Sequence, residues 1–207
     1  FKNLVDSFPS RSFLVIDFPP FGKSEKEIKD WNIFTYVGML MSLCEHLDIE
    51  SCDLIGHSFG GRIAIILSAV KCSFVHSCIL LGSAGMKPKR TLSYHIKVIK
   101  YKLYRRLGKS TALMGSSDYL ALSPNMKKIF VSIVSTYLEQ YSKKMSCPCL
   151  LIWGENDKET PVYMARRLKR NIKNSKLCIV KDAGHYVFLD KPLKVYSEIE
   201  NFWEENG

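Results

Sequence analysis

Residues 56–61 read Gly56-His57-Ser58-Phe59-Gly60-Gly61, with Cys52-Asp53-Leu54-Ile55 directly before and Ile63-Ala64-Ile65-Ile66-Leu67 just after. This is a G-x-S-x-G pentapeptide where a strand pattern gives way to a helix pattern. At such a junction the serine hydroxyl is lifted above the sheet edge. Glycines at 56, 60 and 61 let the helix approach the strand. The helix then aims its N-terminal N–H groups and positive dipole end at the place where an oxyanion would form. A glycine-rich turn with an incidental serine is the plain competitor, so partners for the serine decide between the two.

Two candidate partners follow, each after its own apolar run. Cys149-Leu150-Leu151-Ile152-Trp153 reads as a buried strand and leads into Gly154-Glu155-Asn156-Asp157. Leu177-Cys178-Ile179-Val180 is another, followed by Lys181-Asp182-Ala183-Gly184-His185. Among the histidines, only His185 sits on a post-strand loop after a glycine. His46, His76 and His95 have no motif around them, and His57 adjoins the serine as a pocket-shaping residue. Glu155, Asp157 and Glu159 compete for the role of acid, and Asp157 could equally cap the helix that starts near Pro161.

The order Ser58, Asp157, His185 resembles that of the α/β-hydrolases, in their esterase and carbon–carbon-bond hydrolase branch. The matching segments are Asp17-Phe18-Pro19-Pro20-Phe21-Gly22-Lys23-Ser24, the serine turn, Trp153-Gly154-Glu155-Asn156-Asp157 and Ala183-Gly184-His185-Tyr186. The resemblance implies a mostly parallel α/β sheet with a helical lid. The core would occupy residues 1–83 and 147–207, and the lid 84–146. It implies Ser58 as nucleophile, His185 as base and then acid, Asp157 as the residue that orients the histidine, and the Phe59 N–H as an oxyanion donor, with no cofactor or metal. The expected activity is hydrolysis of an ester or thioester of a small to medium acyl substrate. A carbon–carbon hydrolase of ring-cleavage products is an alternative, weakened because Tyr186 stands where those relatives often have tryptophan. A catalytically inactive binding protein or fragment is another.

The chain departs from the family pattern at its front. It begins Phe1-Lys2-Asn3-Leu4-Val5, and its first strand pattern is Ser12-Phe13-Leu14-Val15-Ile16-Asp17. The family places three strands and a His-Gly loop, with the second oxyanion donor, before that point. The expectation is a fragment with a gap in the sheet between residues 12–17 and 52–56, unless those segments pair directly.

Elsewhere strand and helix patterns alternate, as parallel strands joined by crossovers require. Ile33, Phe34, Val37, Leu40, Met41, Cys44 and Leu47 mark a helix, Val75 to Leu81 a strand, and Leu193, Tyr196, Ile199, Phe202 and Trp203 a helix opened by Pro192. The lid interval contains two amphipathic patterns. One runs through Leu92, Ile96, Ile99, Leu103 and Leu107; the other starts at Ser123-Pro124 and runs from Met126 to Leu138. Tyr94, Tyr101 and Tyr104 are candidate pocket residues there.

Net charge is +10, and no Asp or Glu occurs from Leu54 through Ser117. The lysines and arginines between Lys87 and Lys109 read first as a solvated face. Attraction of an anionic substrate and contact with an acidic membrane surface are the functional readings. No recognised nucleic-acid module accompanies the charge. No apolar stretch reaches the roughly 18 residues of a membrane span. The seven scattered cysteines suit reduced thiols in a cytoplasmic protein, and Cys147-Pro148-Cys149 lacks a complementary ligand cluster for a metal.

Overall fold

Alternating apolar side chains build the sheet from its two middle strands outward. The computed structural model describes residues 1–24, 30–71, 73–89 and 123–206, with Ile96, Ile99, Leu103, Tyr104 and Arg106 as single positions between. Four parallel strands, β1 (Cys52–His57), β2 (Val75–Leu81), β3 (Cys149–Gly154) and β4 (Ser175–Val180), lie side by side in chain order. Cys78 and Leu80 of β2 pair with Cys149 and Leu151 of β3, and all four face one apolar layer. Ile79 and Leu81, with Leu150 and Ile152, face the other. Burial on both faces explains why β2 and β3 are almost continuously apolar.

The first layer is covered by α2 (Ile33–His46), α3 (Phe59–Val70) and α6 (Val162–Asn171), the second by α1 (Lys2–Asp6), α7 (Val187–Asp190) and α8 (Pro192–Asn206). Asn32 starts α2 by accepting the N–H groups of Phe34 and Thr35 at 2.9 and 3.2 Å, while its own N–H donates to Thr35 Oγ1. Among the described residues, no helix is long and apolar enough to cross a membrane.

The front of the chain corrects one expectation. Residues 12–17 form no strand and do not pair with β1, which among the described residues is joined to β2 alone. A β-rich run becomes a strand only where another strand offers its edge in register. Here Phe13 packs on one apolar layer and Ile16 and Phe18 on the other, leaving Leu14 and Val15 47% and 57% exposed. Smaller corrections concern helix faces. Tyr36, whose hydroxyl donates to Pro19 O at 2.8 Å, is buried on α2 in place of Phe34 and Leu47. On α8, Val195 is buried while Leu193 is 83% exposed.

Within the expected lid, α4 (Pro124–Ser135) starts on the Ser123 cap and ends earlier than its pattern, because Thr136 turns extended. Leu138 is then buried against Gly85 and precedes α5 (Glu139–Ser142). Arg62 of α3 ties the end of α4 to the core: its buried guanidinium donates to Ile133 O and Thr136 O, both at 2.9 Å. Burial brings its pKa down to about 10. The first lid pattern, with Tyr94 and Tyr101 and most of the basic run, lies outside the described residues. At the positions that are described, Ile96, Ile99 and Leu103 are helical but exposed rather than packed.

Candidate active site

Because the strands are parallel, their C-terminal ends share one edge of the sheet, and four loops meet there. β1 runs directly into Ser58 and α3. Ser58 has φ 48° and ψ −106°, a sparsely populated positive-φ conformation that costs a side-chain-bearing residue about 1–3 kcal/mol. The surroundings hold it there: Ser58 N donates to Leu81 O at 3.2 Å, and Ala84 N donates to Ser58 O at 3.1 Å. The turn is possible only with glycine at 56, since a Cβ there would lie 2.7 Å from the Gly61 backbone. The Phe59 ring packs edge-on against Phe18 and Tyr36, which anchors the first turn of α3. Among the described residues no side chain caps that turn.

The loop after β3 buries Asp157, and each carboxylate oxygen has two donors. Oδ1 accepts Glu159 N at 2.9 Å and Thr160 N at 2.8 Å. Oδ2 accepts His185 Nδ1 at 2.9 Å and the Thr160 hydroxyl at 2.7 Å. Burial alone would push this acid up; the bonds from His185 and Thr160 outweigh it and hold the carboxyl below its usual range. With Nδ1–H committed to Asp157, the neutral His185 ring leaves Nε2 as the basic nitrogen. The carbonyl of Thr160 takes the indole N–H of Trp153 at 2.6 Å, so the loop is pinned to the floor of β3.

The histidine loop is pinned from both sides. Gly184 N donates to Asp190 on α7 at 2.7 Å, and His57 Nε2 donates to His185 O at 3.0 Å. Because a carbonyl only accepts, the His57 proton sits on Nε2. Its ring packs on His185, Tyr186 and Phe188, and burial lowers its pKa to about 4. His57 is therefore a neutral strut between the serine turn and the histidine loop.

Asp157 and His185 thus meet, and Ser58 and the start of α3 at Phe59 follow β1 at the same edge of the sheet. Ser58 Oγ carries no hydrogen bond to another described residue. Glu155 and Glu159 are exposed and neither bonds the imidazole. His76 lies elsewhere, 3.1 Å from Asp53. His46 is at the end of α2, and His95 is outside the described residues. Among the described residues no group of three or more His, Cys, Asp or Glu could hold a metal.

Sequence reasoning missed two residues here. Thr160, directly before Pro161, was not singled out, although a hydroxyl three positions after an acid can fold back onto it. Gly82, directly after β2, was not singled out. Its φ is 49°, and a Cβ would lie 3.1 Å from His185 O, 3.2 Å from Asp157 Oδ2 and 3.3 Å from His185 Nδ1. A glycine closing an apolar strand in a parallel pattern was the available signal.

Comparison with known proteins bears on the fold and the family. The hydrolase YugF of Bacillus subtilis (strain 168), itself uncharacterized, is 27% identical over 217 residues, spanning 91% of this chain and 79% of its own length. Human monoacylglycerol lipase ABHD6 is 24% identical, over 97% of this chain and 70% of its own. Among solved structures, the meta-cleavage product hydrolase CumD of Pseudomonas fluorescens IP01 superposes with a TM-score of 0.67 at 17% identity, covering 90% of this chain and 77% of its own. The sequence profile of the alpha/beta hydrolase fold matches residues 1–113 and 100–192, and with the parallel sheet and the serine turn it establishes that this chain belongs to the α/β-hydrolase family.

Proposed function

We propose that the chain is a serine hydrolase that cleaves a carboxylic ester or thioester through Ser58, His185 and Asp157. The observation that carries the reading is the buried Asp157–His185 pair, 2.9 Å apart, on the loops beside a serine held at φ 48°. Ser58 Oγ adds to the acyl carbon while His185 Nε2 takes its proton. The oxyanion accepts the Phe59 N–H. Collapse breaks the bond to the leaving alcohol or thiol, which takes the proton back from Nε2. A water, deprotonated by the same nitrogen, then cleaves the acyl-serine and regenerates Ser58. Asp157 keeps the imidazole in the useful tautomer throughout. The free cysteines, with the Cys52 thiol raised to about 12 by burial, suit a reducing compartment such as the cytoplasm.

The test is turnover of p-nitrophenyl acetate by the wild-type protein and by Ser58→Ala, with fluorophosphonate labelling. We expect a loss of about 10⁴-fold and no label in the variant. Undiminished turnover, or label at another residue, sinks the assignment.

A further inference from the structure

We propose that Thr160 is a positioning residue of the acid–histidine pair, its hydroxyl holding and sharing the carboxylate oxygen to which His185 is bound. The inference rests on the triad reading above and extends it to a residue outside that triad.

Thr160 Oγ1 lies 2.7 Å from Asp157 Oδ2, 3.0 Å from Gly82 O and 3.4 Å from His185 Nδ1. A hydroxyl has one proton and here two acceptors. Oδ2 is nearer and belongs to an ionised acid, so it takes the proton; a lone pair placed 2.7 Å from a carboxylate oxygen would be repelled. Oδ2 therefore serves two donors, Thr160 and His185, and its negative charge is divided between them. Gly82 O, directly after β2, then lies 3.0 Å from the hydroxyl oxygen without receiving its proton. Asp157 Oδ1 is held by main-chain N–H groups only. Among the described residues the hydroxyl is thus the one side-chain donor, apart from His185 itself, that bears on this carboxylate.

Two consequences follow. The Asp157 plane is fixed before substrate arrives, so the imidazole needs no reorientation during proton transfer. The shared Oδ2 also divides its charge between two donors, so its hold on the Nδ1–H depends on the Thr160 hydroxyl. Ionisable groups near the pair include His57 on β1, Tyr186, Asp190 on α7, which binds Gly184 N, the Phe1 amine, which acts on His57, Lys158 and Glu159 on the acid loop, and Asp182 on the histidine loop. None of them contacts Thr160 through a hydrogen bond.

Thr160→Val isolates the hydroxyl. It keeps the β-branched shape, and the main-chain bonds from Thr160 N to Asp157 and from Trp153 to Thr160 O persist. With Oδ2 left to His185 alone, the acid limb of the kcat/KM profile should move up by about half to one pH unit, given the worth of one bond to a charged group. We expect kcat to fall several-fold with KM little changed, and Thr160→Ser to restore both limb and rate. Should the valine variant fold poorly, Thr160→Cys, a weak donor of similar size, should shift the limb in the same direction by less. NMR titration of the His185 ring in the same series reads the shift without turnover, so it separates this proposal from the choice of substrate chemistry. Identical titrations in wild type and Thr160→Val, or a serine variant that behaves like valine, overturn the proposal.

Discussion

Two glycine-to-alanine changes should move this protein in opposite directions, and their contrast tests the described geometry. At Gly82 an added Cβ meets a left-handed backbone, worth about 1–2 kcal/mol against alanine. It also meets His185 O at 3.1 Å and Asp157 Oδ2 at 3.2 Å. Those atoms belong to a backbone carbonyl and a hydrogen-bonded buried pair, so they cannot swing aside as a flexible side-chain end would. Such crowding adds about 1–2 kcal/mol. The sum, about 2–4 kcal/mol, should lower the thermal midpoint by roughly 5–15 °C in a chain of this size. Gly38 lies on the exposed side of α2, with no atom within 4 Å of the same carbon. There the helix gains about 1 kcal/mol from alanine, and the midpoint should rise by roughly 2–4 °C. Circular dichroism melts of the full chain measure both. Hydrolytic turnover adds a second readout: Gly82→Ala should lose activity through a displaced Asp157–His185 pair, and Gly38→Ala should not. A Gly82→Ala protein that melts and turns over like wild type would refute the packing described around that pair.

Two further outcomes follow from buried polar groups. His57 titrates at about 4 when folded and near 6.5 when unfolded. Between those values the unfolded chain binds a proton that the folded protein refuses, so stability falls as pH drops from 6.5 towards 4. At about 1.36 kcal/mol per tenfold change in acidity, the fall is up to about 3 kcal/mol. Denaturant titrations across that range should show it in wild type and not in His57→Gln, and parallel curves for the two would contradict it. Arg62→Met removes two charge-assisted bonds to Ile133 O and Thr136 O. It should cost about 2–3 kcal/mol, a drop of roughly 4–10 °C on melting, whereas an unchanged melt would show that α4 is anchored by its apolar face alone.

Much of the fold could be read from the chain because it depends on local pattern. All four strands, the starts of α4 and α8, and the serine turn follow from apolar runs bounded by Gly, Ser and Pro. That Ser58, Asp157 and His185 each follow a strand was legible for the same reason. Residues 12–17 show where pattern stops: Val15 and Ile16 favour extended backbone, but a strand also needs a partner edge, which no local pattern encodes. Tyr36 and Val195 show a similar limit, because the packing around a helix decides which of two nearby apolar residues faces inward. Thr160 and Gly82 escaped notice because their importance arises from contact with residues far along the chain. Gly82 touches Asp157 and His185, and no spacing rule links those positions.

The bond from Trp153 to the Thr160 carbonyl makes the acid loop optically observable. Only three tryptophans occur in the chain, and the other two sit in different surroundings: Trp31 packs on Tyr36, and Trp203 lies against Phe8 beneath the Arg11 guanidinium. Replacing Trp31 and Trp203 by phenylalanine would leave one emitter, fully buried beneath the loop that holds Asp157. Its emission colour would then report whether that loop is closed or admits water. The preparedness of the acid could be followed in real time, in the absence of any substrate and separately from unfolding of the rest of the chain.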